Sequence, residues 1–191
     1  MKTVSTLPEG YKQILNIDLS KDKKLALLVN VMAILIGVLM AVPMNSYLPI
    51  TTLFSFEKGV GDYFLRFGVL IFGTILYIIL HEFAHGVTMK MCGTKKIKYG
   101  FTGLYAFASS NDYYGKRNYI IIALAPVVVW GIILGVVNLF VAKEWFWVVY
   151  WIQISNISGA AGDLYVTLKF LKLPKDIYIG DSGTAMKVYS K

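Results

Sequence analysis

Long apolar runs separated by short polar, lysine-bearing stretches set the plan of this chain. Residues 25–46 run from Leu25 to Ser46 without a charge, and about 20 apolar residues suffice to cross a bilayer as a helix. The same pattern predicts crossings at 63–91, 119–142 and 146–171, with Pro126 kinking the third. Residues 92–117 change period. Ile97, Tyr99, Phe101, Tyr105 and Phe107 alternate with small or polar residues, and Gly100 and Gly103 punctuate the run. A two-residue period predicts strands, here a hairpin at the membrane surface. Residues 1–24 read as an interfacial arm, and 172–191 as a basic tail with short β-prone pieces. The expectation is an all-α polytopic membrane protein: a single membrane domain, 1–191, of four transmembrane helices with a small β-hairpin between helices 2 and 3.

Composition supports the membrane reading. Apolar residues make up 57% and charged residues 16%, with a mean hydropathy of +0.60, whereas soluble chains carry about 25% charged residues. In a soluble protein the net charge of +8 would suggest nucleic acid, but here the placement of the cations excludes it as a partner. The segments after the first and third spans hold one cation each, Lys58 and Lys143, while the 92–117 loop holds Lys95, Lys96, Lys98, Lys116 and Arg117. Lys2, Lys12, Lys21, Lys23 and Lys24 precede the first span, and four lysines follow Leu171. Cytoplasmic segments are the cation-rich ones. The expected location is therefore a cell membrane, crossed several times with both termini cytoplasmic. A single cysteine, Cys92, excludes an intramolecular disulfide and a Cys-rich zinc site.

The chemistry lies in Leu80-His81-Glu82-Phe83-Ala84-His85-Gly86, which holds both histidines of the chain. On a helix His81 and His85 lie one turn apart on one face, within reach of one ion. Imidazole nitrogen suits Zn²⁺, and Glu82, offset by one residue, lies beside it as a general base. Ionisable groups are costly in hydrocarbon, so three within five residues are a functional signal. A di-iron site would need a second E-x-x-H and further glutamates in the spans, which are lacking.

A catalytic zinc takes three protein ligands. Glu82 and Asp163 are the only acids well inside the spans. Counting 1.5 Å per residue from Lys90 and Lys172, His81 and Asp163 each lie about 14 Å deep. Asp163 is accordingly the predicted third ligand, with Asp112 and Asp181 in reserve outside the spans. Asn156, two turns before Asp163, is a candidate for steadying the oxyanion or the substrate backbone, or else a helix-contact residue. Tyr99 and Phe101 are candidates for an edge strand to which an extended substrate adds.

The His81-Glu82-x-x-His85 helix, the strand-like loop after it, the Pro-bearing third helix and Gly162-Asp163 resemble the site-2 protease class of intramembrane metalloproteases. Within that class the chain is similar to the small bacterial membrane proteins called putative zincin peptidases. The resemblance implies Zn²⁺ held by two histidines and an aspartate, Glu82 as general base, and cleavage of membrane-embedded or membrane-adjacent segments from the cytoplasmic side. Gly162-Asp163-Leu164 departs from the Asn-Pro-Asp-Gly or Leu-Asp-Gly usual in that class. The expected function is therefore a zinc metalloendopeptidase whose partners are the lipid bilayer and a transmembrane protein or peptide substrate. The alternative is a non-catalytic metal-binding membrane protein with a structural, chaperone or immunity-type role.

Overall fold

The computed structural model describes residues 3–103 and 105–191; Lys2, counted above among the N-terminal cations, lies outside them. Three helices are long and apolar enough to cross a membrane: α1 (Lys23–Tyr47), α2 (Val60–Met91) and α3 (Lys116–Phe140). Asp22 caps α1, its carboxylate accepting the backbone N–H groups of Lys24 (3.1 Å) and Leu25 (3.0 Å) and so satisfying donors that a helix start leaves unpaired. Large apolar side chains such as Leu39, Phe72 and Ile132 point outward along these helices, as they would where the solvent is lipid.

The fourth expected crossing is not one helix. The chain forms α4 (Lys143–Gly159) and α5 (Ala161–Leu171), interrupted at Ala160. Gly159-Ala160-Ala161-Gly162 supplies the break, since glycine is a poor helix former and leaves little side chain to pack across a turn. Asp163 thereby falls in the first turn of α5, where the helix dipole favours a carboxylate.

The fold is also not all-α. The expected hairpin between α2 and α3 is present as β2 (Lys98–Phe101) against β3 (Ala106–Ser109). A second, antiparallel sheet joins both ends of the chain. It comprises β1 (Lys12–Asp18), β4 (Tyr113–Gly115), β5 (Tyr178–Asp181) and β6 (Ala185–Ser190), in the order β1-β6-β5-β4. The arm and the tail are therefore paired strands, with Ile17 opposite Met186 and Ile179 opposite Val188.

The described residues divide into two compact units. The first comprises residues 1–29, 82–126 and 162–191; the second, 30–81 and 127–161. In the first, the apolar face of the sheet (Ile17, Ile177, Ile179, Val188) packs with Met89, Ile122, Val166 and Phe170 into one core. In the second, Trp147, Val148, Ile154 and Leu53 form the core. Arg66 is buried in that unit rather than reaching water. Its guanidinium donates to the carbonyls of Thr52 (2.8 Å), Leu53 (3.2 Å) and Ser55, and pairs with Asp62 at 2.9 Å. Residues 50–54 form a 3₁₀ turn whose carbonyls this side chain satisfies, which is how an arginine is tolerated there.

Candidate metal centre

Helix α2 runs unbroken through the motif, so His81 and His85 lie one turn apart as 3.6 residues per turn dictates. Both are buried, and Glu82 between them is half-buried. Asp163, half-buried at the start of α5, has Oδ1 3.7 Å from His85 Nε2. Potential ligand atoms of His81, His85 and Asp163 all lie within 4.8 Å of one another. The two imidazoles and the carboxylate that the sequence singles out are thus together. Asp112 is not in this group.

Each histidine is held by a different partner. His85 Nδ1 lies 2.8 Å from the carbonyl oxygen of Ile122. A carbonyl can only accept, so Nδ1 carries a proton and donates it. The carbonyl is available because residue 126, whose N–H would bond it in a regular helix, is a proline inside α3.

His81 Nδ1 lies 2.7 Å from the Tyr77 hydroxyl, one turn earlier on α2. That hydroxyl is also 2.9 Å from Asn156 Oδ1, while Asn156 Nδ2 donates to the Val127 carbonyl at 3.2 Å. The Val127 carbonyl fixes the orientation of the amide, so Oδ1 must accept from Tyr77. With its one proton given to Asn156, the Tyr77 oxygen accepts from His81 Nδ1. Two imidazoles, each anchored at Nδ1, and a carboxylate form a donor set that fits Zn²⁺.

The amide of Asn156, the candidate oxyanion residue, is hydrogen-bonded at both ends and fully buried. Tyr77 carries no role in the sequence reading, although its position four residues before His81 is a visible signal. The part played by Ile122 is invisible in the sequence, because every residue has a carbonyl.

Tyr99 and Phe101 lie on β2, whose second edge pairs with no strand among the described residues. Tyr99 is folded onto α2: a Cβ added at Gly86 would lie 2.7 Å from Tyr99 Cζ and closer still to its hydroxyl. Only glycine leaves room for this approach. Burial and the charge of Glu82 raise the phenol pKa above its ordinary value. On the other face of the hairpin the Phe107 ring lies over Gly100 and Gly183. Phe101 is exposed.

Asp181 is buried in β5, accepting from the Tyr119 hydroxyl (2.7 Å) and the Gly183 N–H (2.7 Å). Burial pushes its pKa up to about 6, against the pull of these hydrogen bonds. Tyr119 is three residues before Ile122, so the tail strand also buttresses the helix turn that holds His85.

Residues 74–178 match the family model described as "Putative zincin peptidase". The chain belongs to this family. The matched span contains the zincin motif, β2, α3 and Asp163. An uncharacterized 24.7 kDa protein from the gap 5′ region of Pyrococcus woesei is 32% identical over 126 residues, covering 62% of this chain and 53% of that protein. The chain spans about half the length of this curated relative. No solved structure matches it.

Proposed function

We propose that this zincin-family chain is an intramembrane zinc endopeptidase that cleaves membrane-embedded or membrane-adjacent protein segments, with both termini on the cytoplasmic side. The observation that carries the reading is the convergence of His81, His85 and Asp163 within 4.8 Å, beside Glu82, with both histidines on a helix long and apolar enough to cross a membrane. These three residues would hold the ion. When bound, zinc would polarise the scissile carbonyl and acidify the attacking water.

The chain's own groups do the rest. Glu82 takes a proton from the water as its oxygen bonds to the carbonyl carbon, then delivers that proton to the departing amide nitrogen as the C–N bond breaks. The Ile122 carbonyl and the Tyr77–Asn156 pair hold the imidazoles in orientation through the cycle. An extended substrate segment adds its backbone to the open edge of β2, next to Tyr99 and Phe101. Tyr99, resting on α2 at Gly86, keeps that edge alongside Glu82.

The deciding experiment uses purified protein in detergent or vesicles with a labelled transmembrane peptide. Wild type should bind about one zinc per chain and cleave, and a chelator should stop cleavage. Glu82→Gln should retain zinc and lose about 10²–10⁴-fold in rate, the usual contribution of a general base. Zinc binding without cleavage by wild type would turn the assignment to a metal-binding role without catalysis.

A further inference from the structure

We propose that a basic cavity at the polar end of α2 binds the phosphate of an anionic phospholipid headgroup. The proposal rests on α2 crossing a membrane and is independent of the zinc reading. Three segments of the first compact unit build the cavity. Helix α2 stops at Gly93, whose φ is +101°. Its N–H reaches the Lys90 carbonyl (3.0 Å), and the Thr94 N–H reaches that of Met89 (3.1 Å). This glycine stop turns the chain out of the helix. Lys95, Lys96 and Lys98 follow, and with Thr3 and Ser5 of the arm they line a space of about 450 Å³. Asn111 and Asp112 complete the lining.

The walls are fixed by the fold. The Thr94 and Ser110 hydroxyls each lie 2.7 Å from the buried Tyr114 hydroxyl, which ties the lysine segment and the Asn111–Asp112 corner to one point. The arm is held by two backbone hydrogen bonds between Val4 and Tyr113, at 2.9 and 2.8 Å.

Charge names the ligand. Three ammonium groups meet one carboxylate, and among the described residues none of the three lies within ion-pair distance of an acid. Lys98 donates instead to the Asn111 amide oxygen at 3.3 Å. Ammonium groups gathered without internal partners repel one another and are offset by an anion from outside. Phosphate has several acceptor oxygens and takes donors from lysines and hydroxyls together. A bias of cations toward one side of the membrane is met by lysines anywhere in the loop. It does not require them to line one cavity with two hydroxyls.

The flanks name the source of the phosphate. Met91, Tyr99 and Phe101, on either side of the lysines in sequence, are 82%, 52% and 70% exposed. Apolar side chains bordering lysines just beyond a membrane-crossing helix suit the headgroup layer, where they enter the acyl boundary while ammonium groups meet phosphates. A dissolved phosphate would leave them uncovered. Lys98 is also the first residue of β2, so a bound headgroup holds one end of the hairpin.

Native mass spectrometry of the full chain, released from detergent micelles doped with phosphatidylglycerol or phosphatidylcholine, tests this by counting bound lipid. Wild type should retain phosphatidylglycerol and not phosphatidylcholine. Lys95→Gln/Lys96→Gln/Lys98→Gln should weaken phosphatidylglycerol about 100-fold, the product of about fivefold for each lysine at an anionic surface. Lys95→Arg/Lys96→Arg/Lys98→Arg should preserve binding, and Asp112→Asn should tighten it. Zinc content, and melting temperature in lipid-free detergent, should match wild type in the lysine variants, because these side chains are exposed. Lys169→Gln/Lys172→Gln/Lys175→Gln removes the same charge elsewhere and should leave lipid retention unchanged.

Equal weakening by the two glutamine triples, or equal retention of both lipids by wild type, would overturn the proposal. Inorganic phosphate that displaces the lipid at equal concentration, with the same dependence on the three lysines, would assign the cavity to a soluble anion and overturn it too. A wild type that selects phosphatidylglycerol yet takes up no zinc would support this site and sink the zinc reading alone.

Discussion

The two compact units treat their histidines differently. In the sheet-bearing unit His85 leans on main chain, the Ile122 carbonyl. In the apolar helical unit His81 leans on side chains, Tyr77 and then Asn156. The two arrangements differ in vulnerability. A side-chain partner disappears with one substitution, whereas a carbonyl survives any change at its own residue and is exposed only through the proline that released it.

The largest test of this contrast removes the carboxylate both histidines face. Asp163→Ala should lower zinc content from about one ion per chain to none, measured by atomic absorption on purified protein. Retained stoichiometric zinc would show that the two imidazoles suffice.

Next in size is a pH effect confined to the sheet-bearing unit. The folded-state pKa of Asp181 is raised from 3.8 to about 6, so folding takes up a proton between those values. The stabilisation is complete below pH 3.8 and is lost as pH rises through about 6. Relative to Asp181→Asn, wild type should lose up to about 3 kcal/mol of unfolding free energy between pH 4 and 7. Identical denaturation profiles for the two proteins would remove Asp181 as a buried titrating group.

The contrast itself is sharpened by pairing variants. Asn156→Ala and Tyr77→Phe should weaken zinc 10–100-fold, while Ile122→Val, which keeps the carbonyl, should stay within about twofold. Equal losses in all three would erase the distinction between the two supports.

The smallest expected effect concerns the hairpin. Gly86→Ala places a methyl group where the Tyr99 hydroxyl sits. It should lower kcat/KM for a peptide by about tenfold with zinc content unchanged, about the penalty of a modest misplacement of substrate. Unaltered kinetics would detach Tyr99 from substrate handling.

The sequence carries the centre of the site better than its surroundings. His81, Glu82 and His85 are adjacent in the chain, so helical geometry alone relates them. The nearness of Asp163 to His85 was reachable because helical rise can be counted back from Lys90 and Lys172. The hairpin was visible in the alternation from Ile97 to Phe107. The second sheet was not: β1 carries a register shift between Gln13 and Leu15, which spoils its alternation. Its partner β6 does alternate, with Met186, Val188 and Ser190 buried, yet nothing local pairs it with a strand some 170 residues earlier. The break at Ala160 was hidden because small residues in an apolar run read equally as helix packing. The burial of Arg66 was not legible either, since the carbonyls it satisfies become grouped only once the 3₁₀ turn has formed.

Strand β6 lies between β1 and β5 and makes the sheet continuous. During synthesis α1, α2 and α3 leave the ribosome first, and the sheet cannot close until residues 185–190 have emerged. His85 and Asp163 belong to the unit that this strand finishes, so the late arrival of β6 acts as a timer. A nascent chain carries its histidine pair and its aspartate well before the framework around them is complete.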